Sequence, residues 1–92
     1  MPENQDVKVS IEELRAQIDG IDEELVYLLN KRAQRSLEIR ALKPKARMGL
    51  YDPRREEEIF DRVSELNPGP LYSDDLKAIF ATILRVSKEM RG

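Results

Sequence analysis

The fold is decided by residues 11–42, which read IEELRAQIDGIDEELVYLLNKRAQRSLEIRAL. Apolar residues recur there at alternating steps of three and four, the spacing that lines side chains along one buried seam of a helix. The seam consists of Ile11, Leu14, Ile18, Ile21, Leu25 and Leu28. The next two steps fall on Arg32 and Arg35, and the apolar pattern resumes only at Ile39 and Leu42. Because arginine keeps its charge inside a protein, Arg32 requires an anion there, supplied either by the protein or by a ligand.

This first helix is too long for a compact monomer. We expect it to begin at Ser10, which forms a capping box with Glu13, and to end at about Lys43, because Pro44 follows. Residues 1–9 are then predicted to be a flexible tail and residues 10–92 one helical domain. Such a helix would be about 50 Å long, whereas a globule of this chain length would be about 32 Å across. A second copy of the chain, packed along the seam, would cover the protruding half.

Two shorter helices are predicted after a connecting loop over residues 44–51. Asp52 and Pro53 are typical of an N-cap and a first helical residue, and that helix should run to about Leu66. The sequence over residues 67–70, Asn-Pro-Gly-Pro, predicts a turn, after which Ser73 would cap the third helix. The predicted fold is therefore all-α, with one long and two shorter helices.

Polar residues prolong the apolar stripes of both shorter helices. The stripes themselves consist of Ile59, Phe60, Val63 and Leu66 in the second helix, and of Leu76, Ile79, Phe80, Ile83 and Leu84 in the third. One turn before Ile59 and Phe60, the same side of the second helix carries Arg55 and Glu56. The stripe of the third helix continues to Ser87 and Arg91.

These positions predict a pocket. Arg32 and Lys43 are 11 residues apart, so that three helical turns bring them to nearly the same face, about 16 Å apart along the axis. With Arg55, Glu56 and Ser87 they would give three cations, one carboxylate and a hydroxyl among aliphatic side chains. Such a lining suits a small, multiply anionic molecule with an apolar body.

Each member also has an ordinary structural interpretation. Arg32 can equally form a salt bridge with Glu56, and Arg35 is expected to be solvated or paired at the surface. Lys43 and Arg55, taken singly, are typical surface charges. Asp52 is better explained as an N-cap than as a catalytic group.

Composition excludes several kinds of chemistry. The 92 residues include no Cys and no His, which excludes thiolate nucleophiles, disulfides and the commonest metal ligands. The 16 basic and 18 acidic residues are interleaved, which argues against a nucleic-acid surface. No stretch has the length of a membrane span, and we expect a cytoplasmic protein that needs neither a metal nor a cofactor.

Roughly residues 11–91 carry a set of recognisable motifs, namely Leu14-Arg15, Ile18-Asp19-Gly20-Ile21-Asp22, Leu28-Leu29-Asn30-Lys31-Arg32, Lys43, Tyr51-Asp52-Pro53-Arg54-Arg55-Glu56 and the helix that bears Ser87. In these motifs the chain resembles the small all-helical chorismate mutases of the AroQ class. The nine-residue spacing from Lys43 to Asp52 is also that of the family. As a set these motifs are specific, although each alone would be weak.

The resemblance implies an intertwined homodimer of three-helix chains whose two active sites each draw on both long helices. Arg32 and Arg55 would come from one subunit, and Arg15 would reach in from the other to bind a carboxylate of the substrate. Lys43 would donate to the ether oxygen and to a carboxylate of chorismate, a small dicarboxylate.

The remaining site residues implied by the resemblance surround the ring of the substrate. Glu56 and Asp52 would hold the ring hydroxyl region, and Ser87 would contact a nearby carboxylate or hydroxyl. The apolar walls would be Ile39, Ile59 and Leu84. The implied activity is the rearrangement of chorismate to prephenate in the biosynthesis of phenylalanine and tyrosine, which uses no cofactor.

Two positions depart from the family pattern. Arg91 stands where family members usually carry Gln or Glu, and its guanidinium can replace the amide as a donor to the ether oxygen. Pro44 follows Lys43 where the family helix normally continues, and proline disfavours α geometry at the residue before it.

Other functions fit the same pattern of residues. Isochorismate pyruvate lyase and aminodeoxychorismate mutase would use a similar cationic pocket on the same fold. A dimeric helical regulatory module, in which the inward charges pair with each other, would need no turnover. The sequence leaves open whether the chain is a complete enzyme or part of a fused one.

Overall fold

The computed structural model describes residues 2–49 and 52–91, and the side chains from Asn4 onward. The chain divides into two compact units, Met1–Gln34 and Arg35–Gly92. Tyr51 of the expected family motif and Leu50 of the connecting loop lie outside the described residues. The expected all-α fold is confirmed, since the regular elements of the described residues are one long helix, a short 3-10 turn and two shorter helices.

Helix α1 spans Pro2–Leu42 and is longer than predicted. The predicted start at Ser10 is wrong, because the helix begins eight residues earlier. Proline suits the first position of a helix, where its missing N–H is not needed, and Val7 continues the apolar seam one turn before Ile11. The expectation that residues 1–9 form a separate flexible tail stays a prediction.

The apolar seam of the first unit is exposed in the single chain. Ile11, Leu14, Ile18, Ile21, Leu25 and Leu28 are each between 43% and 57% exposed. Side chains of this kind stabilise a helix only when another surface removes them from water. The first unit therefore consists of a helix with an uncovered apolar face.

The end of α1 is set by Pro44. The helix stops at Leu42, and a 3-10 turn spans Lys43–Ala46. The turn closes with Arg47 in the left-handed region at φ 58°, where the backbone N–H of Met48 donates to the carbonyl of Lys43 at 2.9 Å. The predicted effect of the proline is confirmed, because Lys43 lies just outside the α-helix.

Helix α2 spans Pro53–Leu66 and packs against helix α3, which spans Ser73–Glu89. The second unit is centred on Val63 and Leu84, which are buried, with Phe60 and Ile83 half-buried beside them. Leu66 was predicted on the same stripe, but it is 64% exposed at the last position of α2.

The last turns of α1 use a different face from the seam. In the second unit, Ser36, Leu37 and Arg40 are half-buried, whereas Ile39 and Leu42 are exposed. Ser36 and Arg40 are four residues apart and therefore share one side of the helix. Ile39 and Leu42, which continue the apolar seam, therefore lie outside the core of the second unit.

The turn between α2 and α3 is held by Asn67. Its amide nitrogen donates to the carbonyl of Leu71 at 2.8 Å and to the hydroxyl of Ser73 at 3.2 Å, and its amide oxygen accepts from the N–H of Gly69 at 3.0 Å. Ser73 was predicted to be the N-cap of α3, but the N-cap is Tyr72. The prediction is wrong by one residue, and the hydroxyl of Ser73 instead accepts a hydrogen bond from the side chain of Asn67 in the turn.

Within residues 2–49 and 52–91, no helix combines the length and apolar character needed to cross a membrane. The described residues also contain no group of three or more carboxylates placed to hold a metal ion. The cytoplasmic location stays a prediction.

Candidate functional site

Glu56 is less exposed than Asp52, the other carboxylate among the predicted site residues. It lies in the first turn of α2, and its side chain is only 21% exposed. The ammonium group of Lys88, from α3, lies 2.7 Å from Oε2 and 3.3 Å from Oε1. A carboxylate can accept about four hydrogen bonds, so this contact leaves acceptor capacity for a ligand hydroxyl.

Ser87 precedes Lys88 on α3 and is half-buried. Its carbonyl accepts a hydrogen bond at 2.7 Å from the guanidinium of Arg40, in the last turn of α1. Arg40 also donates to the carbonyl of Lys88 at 3.1 Å and to the carbonyl of Met90. One guanidinium therefore fixes the C-terminal turn of α3, which carries Ser87 and Lys88.

Asp52 acts as the N-cap of α2, as the sequence predicts. Its Oδ1 accepts from the backbone N–H groups of Arg54 at 3.1 Å and Arg55 at 3.2 Å. A carboxylate at this position satisfies orphan donors and complements the helix dipole. The contact fixes the helix start one turn before Glu56.

Two of the predicted cations, Arg55 and Arg91, are exposed in the single chain. Arg55 was expected beside Glu56, but its side chain is 64% exposed and lies 3.5 Å from Glu58. In the single chain Arg55 therefore lies at the surface, and its place in the site stays a prediction. Its pair with Glu58 is three residues apart on the outer surface.

Arg91 was expected to extend the stripe of α3 one turn beyond Ser87. The helix ends at Glu89, Met90 is extended, and Arg91 is exposed. The expected helical position is wrong, because α3 ends at Glu89 and Met90 is its C-cap.

Lys43 is half-buried at the start of the 3-10 turn. Of the three residues expected to wall a ring, Leu84 is buried and Ile59 is half-buried, whereas Ile39 is 54% exposed. The second unit thus brings Leu84, Ile59 and Glu56 to its inner faces and leaves Ile39 on the outer side of α1.

The first unit carries the other two predicted cations. Arg32 is half-buried on α1, which agrees with its unusual place in an apolar seam. Arg15 is exposed and lies 3.0 Å from Glu12, one turn earlier. Arg35, at the start of the second unit, pairs with Glu38 at 3.0 Å, so the predicted surface pairing is confirmed.

Two residues of this region, Arg40 and Lys88, were not predicted from the sequence. The partners of Arg40 are backbone carbonyls 47 to 50 residues away, which no local pattern reveals. Lys88 follows directly after Ser87, and its distance of 32 residues from Glu56 gives no periodic signal.

Comparison with known proteins adds a family assignment to this geometry. The sequence matches the family described as chorismate mutase type II over residues 14–91. Two solved structures of chorismate mutase from Thermus thermophilus are similar to the chain. Form I has a TM-score of 0.81 and 32% identity, covering 84% of this chain and 96% of that one. Form II has a TM-score of 0.84 and 31% identity, covering 87% and 91%.

Curated relatives are longer proteins. The chain is 46% identical over 57 residues to the bifunctional chorismate mutase/prephenate dehydratase of Aquifex aeolicus, which covers 62% of this chain and 16% of that protein. It is 37% identical over 70 residues to the protein of the same description from Neisseria gonorrhoeae, covering 76% and 19%. The chain therefore spans less than a fifth of the length of these two relatives.

Proposed function

This chain belongs to the type II chorismate mutase family, and from that premise we propose that it converts chorismate to prephenate, a step toward phenylalanine and tyrosine. The observation that carries the proposal is the family match over residues 14–91, which includes every predicted site residue from Arg15 to Arg91. The half-buried Glu56 and Ser87, on facing helices of the second unit, support it.

The reaction suits the chemistry of this chain. It is an intramolecular pericyclic rearrangement, so it requires no nucleophile, metal or general base, and a chain without His and Cys lacks nothing that it needs. Catalysis then depends on holding the reactive conformer and on placing fixed positive charge where negative charge develops on the ether oxygen.

The proposed roles of the cations follow the family motifs. Arg32 and Arg55 bind substrate carboxylates, Arg15 of a second subunit binds another part of the dicarboxylate, and Lys43 donates to the ether oxygen. Arg55 must first leave Glu58, which costs little because an exposed ion pair contributes about 1 kcal/mol or less. Arg91 is a further donor near the ether oxygen.

The other proposed roles concern the ring. Glu56 accepts a hydrogen bond from the ring hydroxyl, with Asp52 nearby at the start of α2, and Ser87 contacts a carboxylate or hydroxyl beside it. Ile59 and Leu84 form apolar walls, and Ile39 adds a third wall. The half-burial of Glu56 strengthens its interactions, because the effective dielectric there is lower than that of water.

The proposal includes an intertwined homodimer. The seam of α1 leaves six large apolar residues of the first unit uncovered in the single chain. A second copy with the same seam is the partner whose chemistry matches this surface. The exposed Arg15 on the same helix would then be available to the site of the other subunit.

The direct test is spectrophotometric measurement of chorismate consumption by the purified protein. Removal of one donor to the developing charge typically costs about 3 kcal/mol of barrier, so Arg32→Ala and Lys43→Ala should each lower turnover by about 100-fold or more. Arg35→Ala is the matched control, because it removes an arginine of the same helix that pairs only one turn away at the surface.

Three outcomes separate the alternatives. Consumption of isochorismate or aminodeoxychorismate in preference to chorismate, measured in parallel, would replace the substrate and keep the fold. Binding without turnover of all three would favour the regulatory module. Wild-type turnover by Arg32→Ala and Lys43→Ala, with unchanged circular dichroism, would reject the assigned roles.

A further inference from the structure

The ion pair between Lys88 and Glu56 joins two helices of the second unit. The ammonium of Lys88 contacts both carboxylate oxygens of Glu56, at 2.7 Å and 3.3 Å, and so connects α3 to α2. The pair between Arg85 and Glu89 provides a comparison, because it lies within α3 and both of its side chains are more than half exposed. The ion pair of Lys88 thus holds α3 against α2, whereas the ion pair of Arg85 lies within one helix.

The partial burial of Glu56 should make this ion pair stronger than an ordinary ion pair at the surface. The Glu56 side chain is 21% exposed and that of Lys88 is 49% exposed. Charges that are partly removed from water interact more strongly and are screened less by salt. The contact with the Lys88 ammonium group therefore restricts the orientation of the Glu56 carboxylate.

The backbone of Lys88 is itself held in place. Arg40 donates to the carbonyl of Lys88 at 3.1 Å and to that of its neighbour Ser87 at 2.7 Å. The α3 turn that presents the Lys88 side chain is thus attached to the end of α1. An ammonium group on a fixed turn can define the orientation of the carboxylate that it contacts.

We infer that Lys88 is a positioning residue for the proposed reaction: it holds the Glu56 carboxylate in the orientation that accepts the ring hydroxyl of the substrate. The inference rests on the proposed function and assigns Lys88 no contact with the substrate. Lys88 acts through Glu56, and without it the carboxylate turns toward solvent. A misplaced contact of this kind should lower kcat/KM by roughly 10-fold.

The test compares three variants of the full chain by steady-state chorismate kinetics and thermal unfolding. Lys88→Met removes the ammonium and keeps the length of the side chain, and we expect about a 10-fold loss in kcat/KM. Lys88→Arg restores a cation and should recover most of the loss. Arg85→Met removes the ion pair within α3 and should leave kcat/KM unchanged, which gives the effect of losing an ion pair that does not reach α2.

A double-mutant cycle with Glu56→Gln distinguishes positioning from a general structural role. If Lys88 acts through Glu56, Lys88→Met should have little further effect on kcat/KM in the Glu56→Gln background. Equal losses in both backgrounds, or no loss in the wild-type background, would overturn the inference while the proposed function stands. Absence of chorismate turnover by the wild-type protein would overturn both.

Discussion

At the scale of single residues, Arg40 makes hydrogen bonds that join two helices of the second unit. Its guanidinium is half-buried and donates to the carbonyls of Ser87, Lys88 and Met90 at the end of α3. The last carbonyls of a helix have no partner within it, and a cation there also complements the helix dipole. One side chain from α1 thereby donates hydrogen bonds to the carbonyls at the end of another helix.

Replacement of Arg40 should destabilise the protein. Arg40→Met keeps much of the apolar stem but leaves three carbonyls without their donor, and we expect a loss of about 2 kcal/mol in the free energy of unfolding. The measurement is urea unfolding followed by circular dichroism. Arg62→Met, at an exposed position of α2, is the control. Equal stability of the two variants would contradict the assigned role of Arg40.

At the scale of elements, a helix end could be predicted from the sequence when the residues at that end carry the capping interaction themselves. The start of α2 was predicted because Asp52 and Pro53 carry the cap chemistry themselves, and the structure places both as expected. The start of α1 was missed because Ser10 and Glu13 fit a capping box within a helix that continues through them. The cap of α3 was missed because Ser73 is engaged by Asn67 from the preceding turn.

The same distinction applies to the candidate site. Arg32 could be recognised from its place in an apolar seam, and Glu56 from its place one turn before an apolar stripe. Lys88 and Arg40 could not, because their importance depends on tertiary contacts with residues far along the chain. The place of Arg55 in the site stays a prediction, because in the single chain its side chain is exposed and lies near Glu58.

The turn between α2 and α3 should depend on Asn67. Asn67→Ala removes hydrogen bonds to Gly69, Leu71 and Ser73 and should lower the free energy of unfolding by about 2 kcal/mol. Thermal unfolding monitored at 222 nm measures the effect. Asn30→Ala is a suitable control, since Asn30 bonds only one turn back within α1. If the two variants unfold at the same temperature, Asn67 does not hold the turn.

At the scale of the whole molecule, the uncovered seam of α1 is the main reason to propose a dimer. A 92-residue chain buries little apolar surface by itself, and among the described hydrophobic residues only Val63 and Leu84 are buried. Pairing of two α1 helices would bury the seam residues of both chains. Folding and assembly should then be coupled, so that thermal stability rises with protein concentration.

Mixing of two inactive variants tests whether Arg15 acts across the proposed interface. If each site takes Arg15 from one subunit and Arg32 from the other, Arg15→Ala and Arg32→Ala homodimers have no intact site, whereas a mixed dimer has one. Refolding the two variants together in equal amounts should recover about a quarter of wild-type activity, because half of the dimers are mixed and one of their two sites is intact. Each variant refolded alone is the control. No recovery in the mixture, with a dimeric mass by light scattering, would mean that each site takes both arginines from the same subunit.

The attachment of α3 through its carbonyls has a consequence for sequence divergence. The hydrogen bonds from Arg40 to residues 87, 88 and 90 are accepted by main-chain carbonyls, which are present whatever side chains stand there. The last turn of α3 can therefore exchange its side chains while its backbone stays attached to α1. This end of the helix is a natural place to alter substrate selectivity, by evolution or by design, without rebuilding the scaffold.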